Sequence, residues 1–144
     1  METCSLCHPV NETVLWRDDR CRAILVDDPD YRGFCRVIWL SHVKEMTDLM
    51  KSDRAHLMNV VFAVEQTLRE QLRPDKINLA SLGNQVPHLH WHVIPRFTDD
   101  AHFPDPIWAA RKRQARPASV DNVALAARLS LQLHETLSGK QTPP

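Results

Sequence analysis

The chain has 144 residues, 43% of them hydrophobic and 25% charged, and 18 basic side chains balance 18 acidic ones, so the net charge is zero with histidine neutral. That size and balance predict one globular domain with a proper core, and they exclude the broad basic surface of a protein that binds a nucleic acid polymer. No apolar run is long enough for a membrane span, and Met1-Glu2-Thr3-Cys4 lacks the basic-then-apolar layout of a signal peptide, so a cytoplasmic protein with no membrane partner is expected.

In a reducing compartment the four cysteines point to metal binding rather than disulfides, and the sequon Asn11-Glu12-Thr13 carries no glycan. Cys4-Ser5-Leu6-Cys7 opens the chain with two thiols at a zinc-gripping spacing, but a tetrahedral structural site needs two further ligands. A redox pair would introduce a helix inside a βαβ unit, and Pro9 with Asn11-Glu12-Thr13 offers none. Residues 14–17 and 21–26 flank the Asp18-Asp19 turn as a hairpin. The turn-rich stretch Asp27-Asp28-Pro29-Asp30-Tyr31-Arg32-Gly33 leads into a third strand over 34–40. Ser41-His42 closes that strand, and a short helical turn is expected over 43–50.

Residues 52–73 carry Leu57, Val60, Val61, Val64, Leu68 and Leu72 at three- and four-residue steps, the stripe of a long helix covering a sheet. Ser52 reads as its N-cap, Asp53 suits the positive end of the helix dipole, and Pro74 stops it. His56 falls on the polar side and is expected to be exposed without function. A fourth strand spans 76–82.

Next comes Gly83-Asn84-Gln85-Val86-Pro87-His88-Leu89-His90-Trp91-His92-Val93-Ile94-Pro95-Arg96. Successive side chains of a strand point to opposite faces, so His88, His90 and His92 share one face while Leu89, Trp91 and Val93 share the other. A helix would scatter the histidines, and Val93-Ile94 before Pro95 favours a strand that ends there. Such a face suits a metal site or phosphate chemistry, and Trp91 reads as core packing beneath it. Residues 97–106 read as irregular, and Arg111, Lys112, Arg113 and Arg116 as a solvated basic face. Val123, Leu125, Ala126, Leu129, Leu133 and Leu137 predict a second helix over 120–137 with Gly139 at its C-cap, before a disordered tail at 141–144.

The His-apolar-His-apolar-His run, with a Gly-containing polar loop before it and Pro-Arg after it, resembles the signature of the histidine-triad nucleotide hydrolases and transferases, in particular the zinc-binding bacterial type. The resemblance covers about residues 4–97 of a single domain spanning 1–144, leaving about 98–144 as a C-terminal extension. It implies an α+β fold: a mainly antiparallel five-stranded sheet with one long covering helix and a C-terminal helix. It also implies structural zinc on Cys4, Cys7, His42 and His88, with His8 as the substitute should His42 fail. No cofactor is expected for the chemistry. His90 is implied as the nucleophile forming a nucleotidyl-histidine intermediate, His92 as a ligand of the non-bridging phosphate oxygens, and His88 as the residue that orients its neighbours. Asn84 and Gln85 are implied as phosphate contacts, although many relatives carry Ser or Thr where Gln85 stands. Asp27 is implied on the ribose hydroxyls and reads equally as a plain turn aspartate; Leu6 and Ile24 are offered as walls of the base pocket.

The expected activity is hydrolysis or transfer at the α-phosphate of a small nucleotide conjugate: a nucleoside phosphoramidate, an acyl-adenylate or a dinucleoside polyphosphate. The first two are favoured, because no basic run sized for a polyphosphate lies near the triad. A homodimer is expected, as is common in the family. One rival reading is a zinc-stabilised nucleotide-binding regulatory module with incidental turnover. Another is a metallohydrolase with the catalytic metal on the triad, which the softer Cys-x-x-Cys ligands disfavour.

Overall fold

A computed structural model describes residues 3–115 and 121–138 of the protein. Five strands, β1 (Thr13–Arg17), β2 (Cys21–Leu25), β3 (Cys35–Trp39), β4 (Lys76–Ala80) and β5 (His90–Arg96), form one sheet in the order β1-β2-β3-β5-β4. Every neighbouring pair is antiparallel. With α1 (Lys51–Leu72) and α2 (Asn122–Leu137), this is the α+β fold that the sequence predicts. No helix among the described residues is long and apolar enough to cross a membrane.

Strand alternation divides the sheet into two faces. Cys21, Ala23, Leu25, Cys35, Val37, Trp39 and Val93 join Leu57, Val60, Val61, Val64 and Leu68 of α1 and Leu125, Leu129 and Leu133 of α2 in one buried core. By the same alternation Arg22, Ile24, Arg36, Ile38, His90 and His92 lie on the opposite face. A bulge at Val14/Trp16 buries both Leu15 and Trp16, and Ser130 Oγ donates to the Leu15 carbonyl at 2.7 Å, clamping α2 along the β1 edge.

The helix ends depart from the sequence expectation. Ser52 is not a cap: α1 starts at Lys51 after Met50, which offers no side-chain oxygen, and Arg54 Nε secures the start by donating to the Met46 and Leu49 carbonyls. The helical turn expected over 43–50 shrinks to a 3-10 turn at Met46–Asp48. α1 stops at Arg73, left-handed at φ 49°, one residue before Pro74, which disfavours helical geometry in the residue ahead of it. Asp121 caps α2 by accepting from the backbone N–H groups of Val123 and Ala124. Val120, Gly139, Arg116 and the 141–144 tail lie outside the described residues.

β5 begins at His90 rather than His88 and continues through Pro95 to Arg96. Proline is tolerated because Pro95 pairs with Ile77 of β4 beyond the last β3 partner, Cys35 against Val93, so its missing N–H faces a side with no strand. β4 ends at Ala80, short of Leu82. At Gly33, φ is 79°, a left-handed conformation that strains any other residue, and a Cβ there would also press on the tip of Leu72 from α1.

Residues 97–106, expected to be irregular, contain no helix or strand, and neither do 107–115, yet the segment is firmly anchored. Arg96 and Asp100, 2% and 6% exposed, form a two-pronged ion pair at 2.8 and 3.1 Å. Asn78 and the Asp105 carbonyl accept from the same guanidinium. Burial opposes ionisation of Asp100, but Arg96 and the backbone N–H groups of His102, Phe97 and Phe103 hold its pKa at about 2. The basic cluster is more than a solvated face: Arg111 grips Asp30 at 2.8 and 3.1 Å, Lys112 reaches Asp105 at 3.3 Å, and Arg113 donates to the carbonyls of Asp100 and Phe103. His56, expected to be exposed, is half-buried with Nε2 2.6 Å from Asp18 Oδ2, tying the β1–β2 turn to α1.

Candidate active site and metal centre

The N-terminal arm folds back so that Cys4 Sγ, Cys7 Sγ, His42 Nδ1 and His88 Nδ1 lie within 4.8 Å of one another. Each sulfur stands 3.4 Å from His88 Nδ1, Cys7 Sγ is 3.4 Å from His42 Nδ1, and the two imidazole nitrogens are 3.3 Å apart. A tetrahedral zinc with bonds of about 2.3 Å to sulfur and about 2.0–2.1 Å to nitrogen requires edges of about 3.5 Å and about 3.3 Å. The four donors therefore fit the ion. His88 Nε2 donates to the Trp39 carbonyl at 2.5 Å, which leaves Nδ1 as the lone-pair nitrogen a metal needs. His8 is exposed and stands outside the cluster. Cys21 and Cys35 are free and buried; burial pushes Cys21 up to about 12 and Cys35 higher still, so both are unreactive thiols.

His90 and His92 project from the same face of β5 with ring centroids 4.9 Å apart at 81°. His90 Nδ1 donates to the His88 carbonyl at 2.6 Å, so its Nε2 carries the lone pair. His92 Nδ1 is buried without a partner. Burial lowers the pKa of His90 against the pull of that carbonyl, and Arg36 lowers it further. Burial, His90 and Arg36 together push His92 down to about 4. Both shifts favour the uncharged ring.

A cavity of about 390 Å³ opens over these rings, lined by Asn84, Gln85, Arg36, Leu6 and Trp108 as well as His90 and His92. The structure thus brings Asn84 and Gln85 to the two histidines. His88 faces the cysteines and lines a neighbouring cavity that also reaches His90. Asp27 is exposed on a separate cavity with Asn11 and Thr13, where Asn122 Nδ2 donates to it at 3.4 Å. Leu6 is on the cavity wall, whereas Ile24 is buried at 5% exposure and is not. Trp91 is half-buried against the core, its Nε1 3.5 Å from Met46 Sδ.

Arg36 and Trp108 of the cavity escape sequence reasoning. Arg36 lies directly opposite His92 across the β3–β5 pairing, and its signal is a lone charge on a strand flanked by apolar residues. Trp108 comes from the irregular segment and packs edge-on to His92 at 5.3 Å while staying 52% exposed.

The HIT domain family model matches residues 9–99. A bis(5'-nucleosyl)-tetraphosphatase (asymmetrical) of Schizosaccharomyces pombe is 26% identical over 141 residues, covering 94% of this chain and 73% of that protein. Among solved structures, a histidine triad protein from Bradyrhizobium japonicum superposes with a TM-score of 0.74 at 27% identity, over 85% of this chain and 91% of that one. One from Marinobacter aquaeolei VT8 gives 0.73 at 26%, over 88% and 91%. A zinc-bound histidine triad family protein from Mycobacterium smegmatis shares the fold at 0.67 and 22% identity, over 96% and 98%. The match across residues 9–99, on a sheet that carries the histidine run at its edge of chemistry, makes this chain a member of the HIT domain family.

Proposed function

We propose that the protein is a nucleotide hydrolase or transferase that acts at the α-phosphate of a small nucleotide conjugate through a covalent nucleotidyl-His90 intermediate. The observation that carries this is the His90 Nδ1 hydrogen bond to the His88 carbonyl, which turns a neutral Nε2 lone pair toward the cavity. His90 Nε2 attacks phosphorus, the P–N bond forms, and the bond to the leaving group breaks with its electron pair going to that group, which takes a proton from solvent. Water then attacks phosphorus and gives a proton back to solvent, the P–N electrons return to Nε2, and the mononucleotide leaves; a different acceptor in place of water gives transfer. The His88 carbonyl supports the positive charge on the His90 ring while the adduct exists. His92, Asn84 and Gln85 contact the phosphate oxygens. Relationship to the yeast tetraphosphatase supports a hydrolase.

We also assign one structural zinc to Cys4, Cys7, His42 and His88, supported by the tetrahedral spacing of the donors and by the zinc-bound relative. The ion supplies no chemistry to the reaction; it fastens the arm bearing Ser5 and Leu6, two walls of the cavity. Cytoplasmic residence is part of this reading, because the thiols must stay reduced. A homodimer is proposed through β4, an edge strand whose outer side is unpaired among the described residues, with the half-exposed Phe62 of α1 as a second apolar contact. Light scattering on the wild type and Phe62→Asp decides it: dimer going to monomer supports the assignment, and an unchanged mass opposes it.

Hydrolysis of adenosine 5'-phosphoramidate and diadenosine tetraphosphate, followed by ion-exchange chromatography, tests the activity. AMP release by the wild type, loss in His90→Asn and persistence in chelator on the time scale of the assay are expected. Binding without AMP release would favour the regulatory-module reading, and immediate loss in chelator with the fold intact would favour a catalytic metal.

A further inference from the structure

Among the arginines on the histidine-bearing face of the sheet, Arg22 and Arg36 sit on neighbouring strands and are treated differently. Arg22 is 3% exposed and fully answered: Glu12 accepts from it at 2.7 Å through both oxygens, and the Leu6 carbonyl accepts at 3.0 Å. Arg36 has a buried Nε without a partner, and no carboxylate pairs with it among the described residues. Asp28 and Glu12 are close enough to act on its charge, but Glu12 is engaged by Arg22 and one Asp28 oxygen accepts the Asp30 N–H at 2.9 Å. Its guanidinium lies 5.5 Å from the Phe34 ring and lines the same cavity as His90 and His92.

A guanidinium drawn partly out of water without a counter-charge is costly, and its fork of N–H donors matches phosphate oxygens. The cavity that exposes it also holds the reactive His90 nitrogen. Along β5 the order is His90 then His92, and Arg36 stands one strand across from His92. A chain of phosphates starting at His90 and passing His92 therefore arrives at Arg36.

We propose that Arg36 is a specificity-determining residue that holds the second phosphate of a nucleoside di- or polyphosphate substrate, beside the phosphate reached by His90 and His92. This rests on the catalytic reading of the same cavity and narrows its substrate class. Substrates whose leaving group carries a phosphate are favoured over phosphoramidates and acyl-adenylates, whose leaving groups carry none at that place. The missing basic run near the triad is no objection, because the cation arrives by pairing between β3 and β5, more than 50 positions apart in the chain.

Isothermal titration of AMP and of ADP into the full chain carrying His90→Asn, which blocks turnover, tests the assignment. ADP is expected to bind about tenfold or more tighter than AMP, the scale of a charge-assisted hydrogen bond lost or gained. Adding Arg36→Leu should bring the two affinities within about twofold with AMP binding little changed, and Arg36→Lys should retain part of the preference. No preference for ADP, a preference that survives Arg36→Leu, or equal weakening of both ligands would overturn the proposal. Should circular dichroism show Arg36→Leu unfolded, Arg36→Gln is read by the same criteria. Wild-type turnover is scored separately: discrimination without any hydrolysis would sink the catalytic reading and leave Arg36 in place, while hydrolysis without discrimination would do the reverse.

Discussion

With its Nδ1 buried and unpartnered, His92 has no acceptor for a second proton, and burial, His90 and Arg36 lower its pKa from 6.5 to about 4. In the unfolded chain the same ring takes up a proton near its ordinary value, while the folded ring resists until about pH 4. The unfolded state therefore binds more protons across this window, and stability falls as the pH drops through it, by up to about 3 kcal/mol. Urea midpoints at about pH 7.5 and about pH 4.5 check this: the wild type should lose more than His92→Asn, and equal losses would contradict it. Trp108, at the lip of the cavity, offers a ring face to a planar group of the substrate. Trp108→Ala should raise KM for an adenine nucleotide about threefold to tenfold with kcat little changed, as steady-state kinetics would show. At this scale the histidine alternation was legible because a period of two is a local property. Arg36 and Trp108 were not, since each reaches His92 only through distant pairing or through a segment without periodicity.

The apolar stripe of α1 was equally legible: Leu57, Val60, Val61, Val64 and Leu68 are all buried to within about a hundredth of their surface, as a covering helix demands. Leu57→Ala should cost about 2–5 kcal/mol in denaturant unfolding and leave kcat unchanged, because the cavity it opens lies on the face away from the histidines. The helix starts were less legible. Ser52 offered the expected capping oxygen, but the chain is already helical at Lys51, and Arg54 ties the turn down with a side chain that composition reads as surface. The N-terminal arm couples one element to the site. Cys7→Ser should drop bound zinc from about one per chain toward none, lower Tm, and raise KM more than it lowers kcat, since Ser5 and Leu6 lose their anchorage. Metal analysis beside kinetics checks it, and zinc lost with KM unchanged would separate the arm from the site.

For the whole molecule, antiparallel hairpins and two striped helices predicted the layers, but not the strand order. Inserting β5 between β3 and β4 is a long-range choice that no local pattern encodes, and it is this choice that joins the arginine of β3 to the histidines of β5. The segment after β5 read as irregular because its order comes from the buried Arg96–Asp100 pair and backbone carbonyls rather than from periodicity. Sheet, Cys/His cluster and anchored segment come together around His90, and the proposed chemistry turns on its Nε2. Intact-protein mass spectrometry after brief mixing with an adenosine phosphoramidate, quenched without acid, measures it directly. The predicted result is a gain of one adenylyl group in the native chain and none in His90→Ala. Released AMP with no adduct on the native chain at any mixing time, or an adduct that persists in His90→Ala, would contradict it.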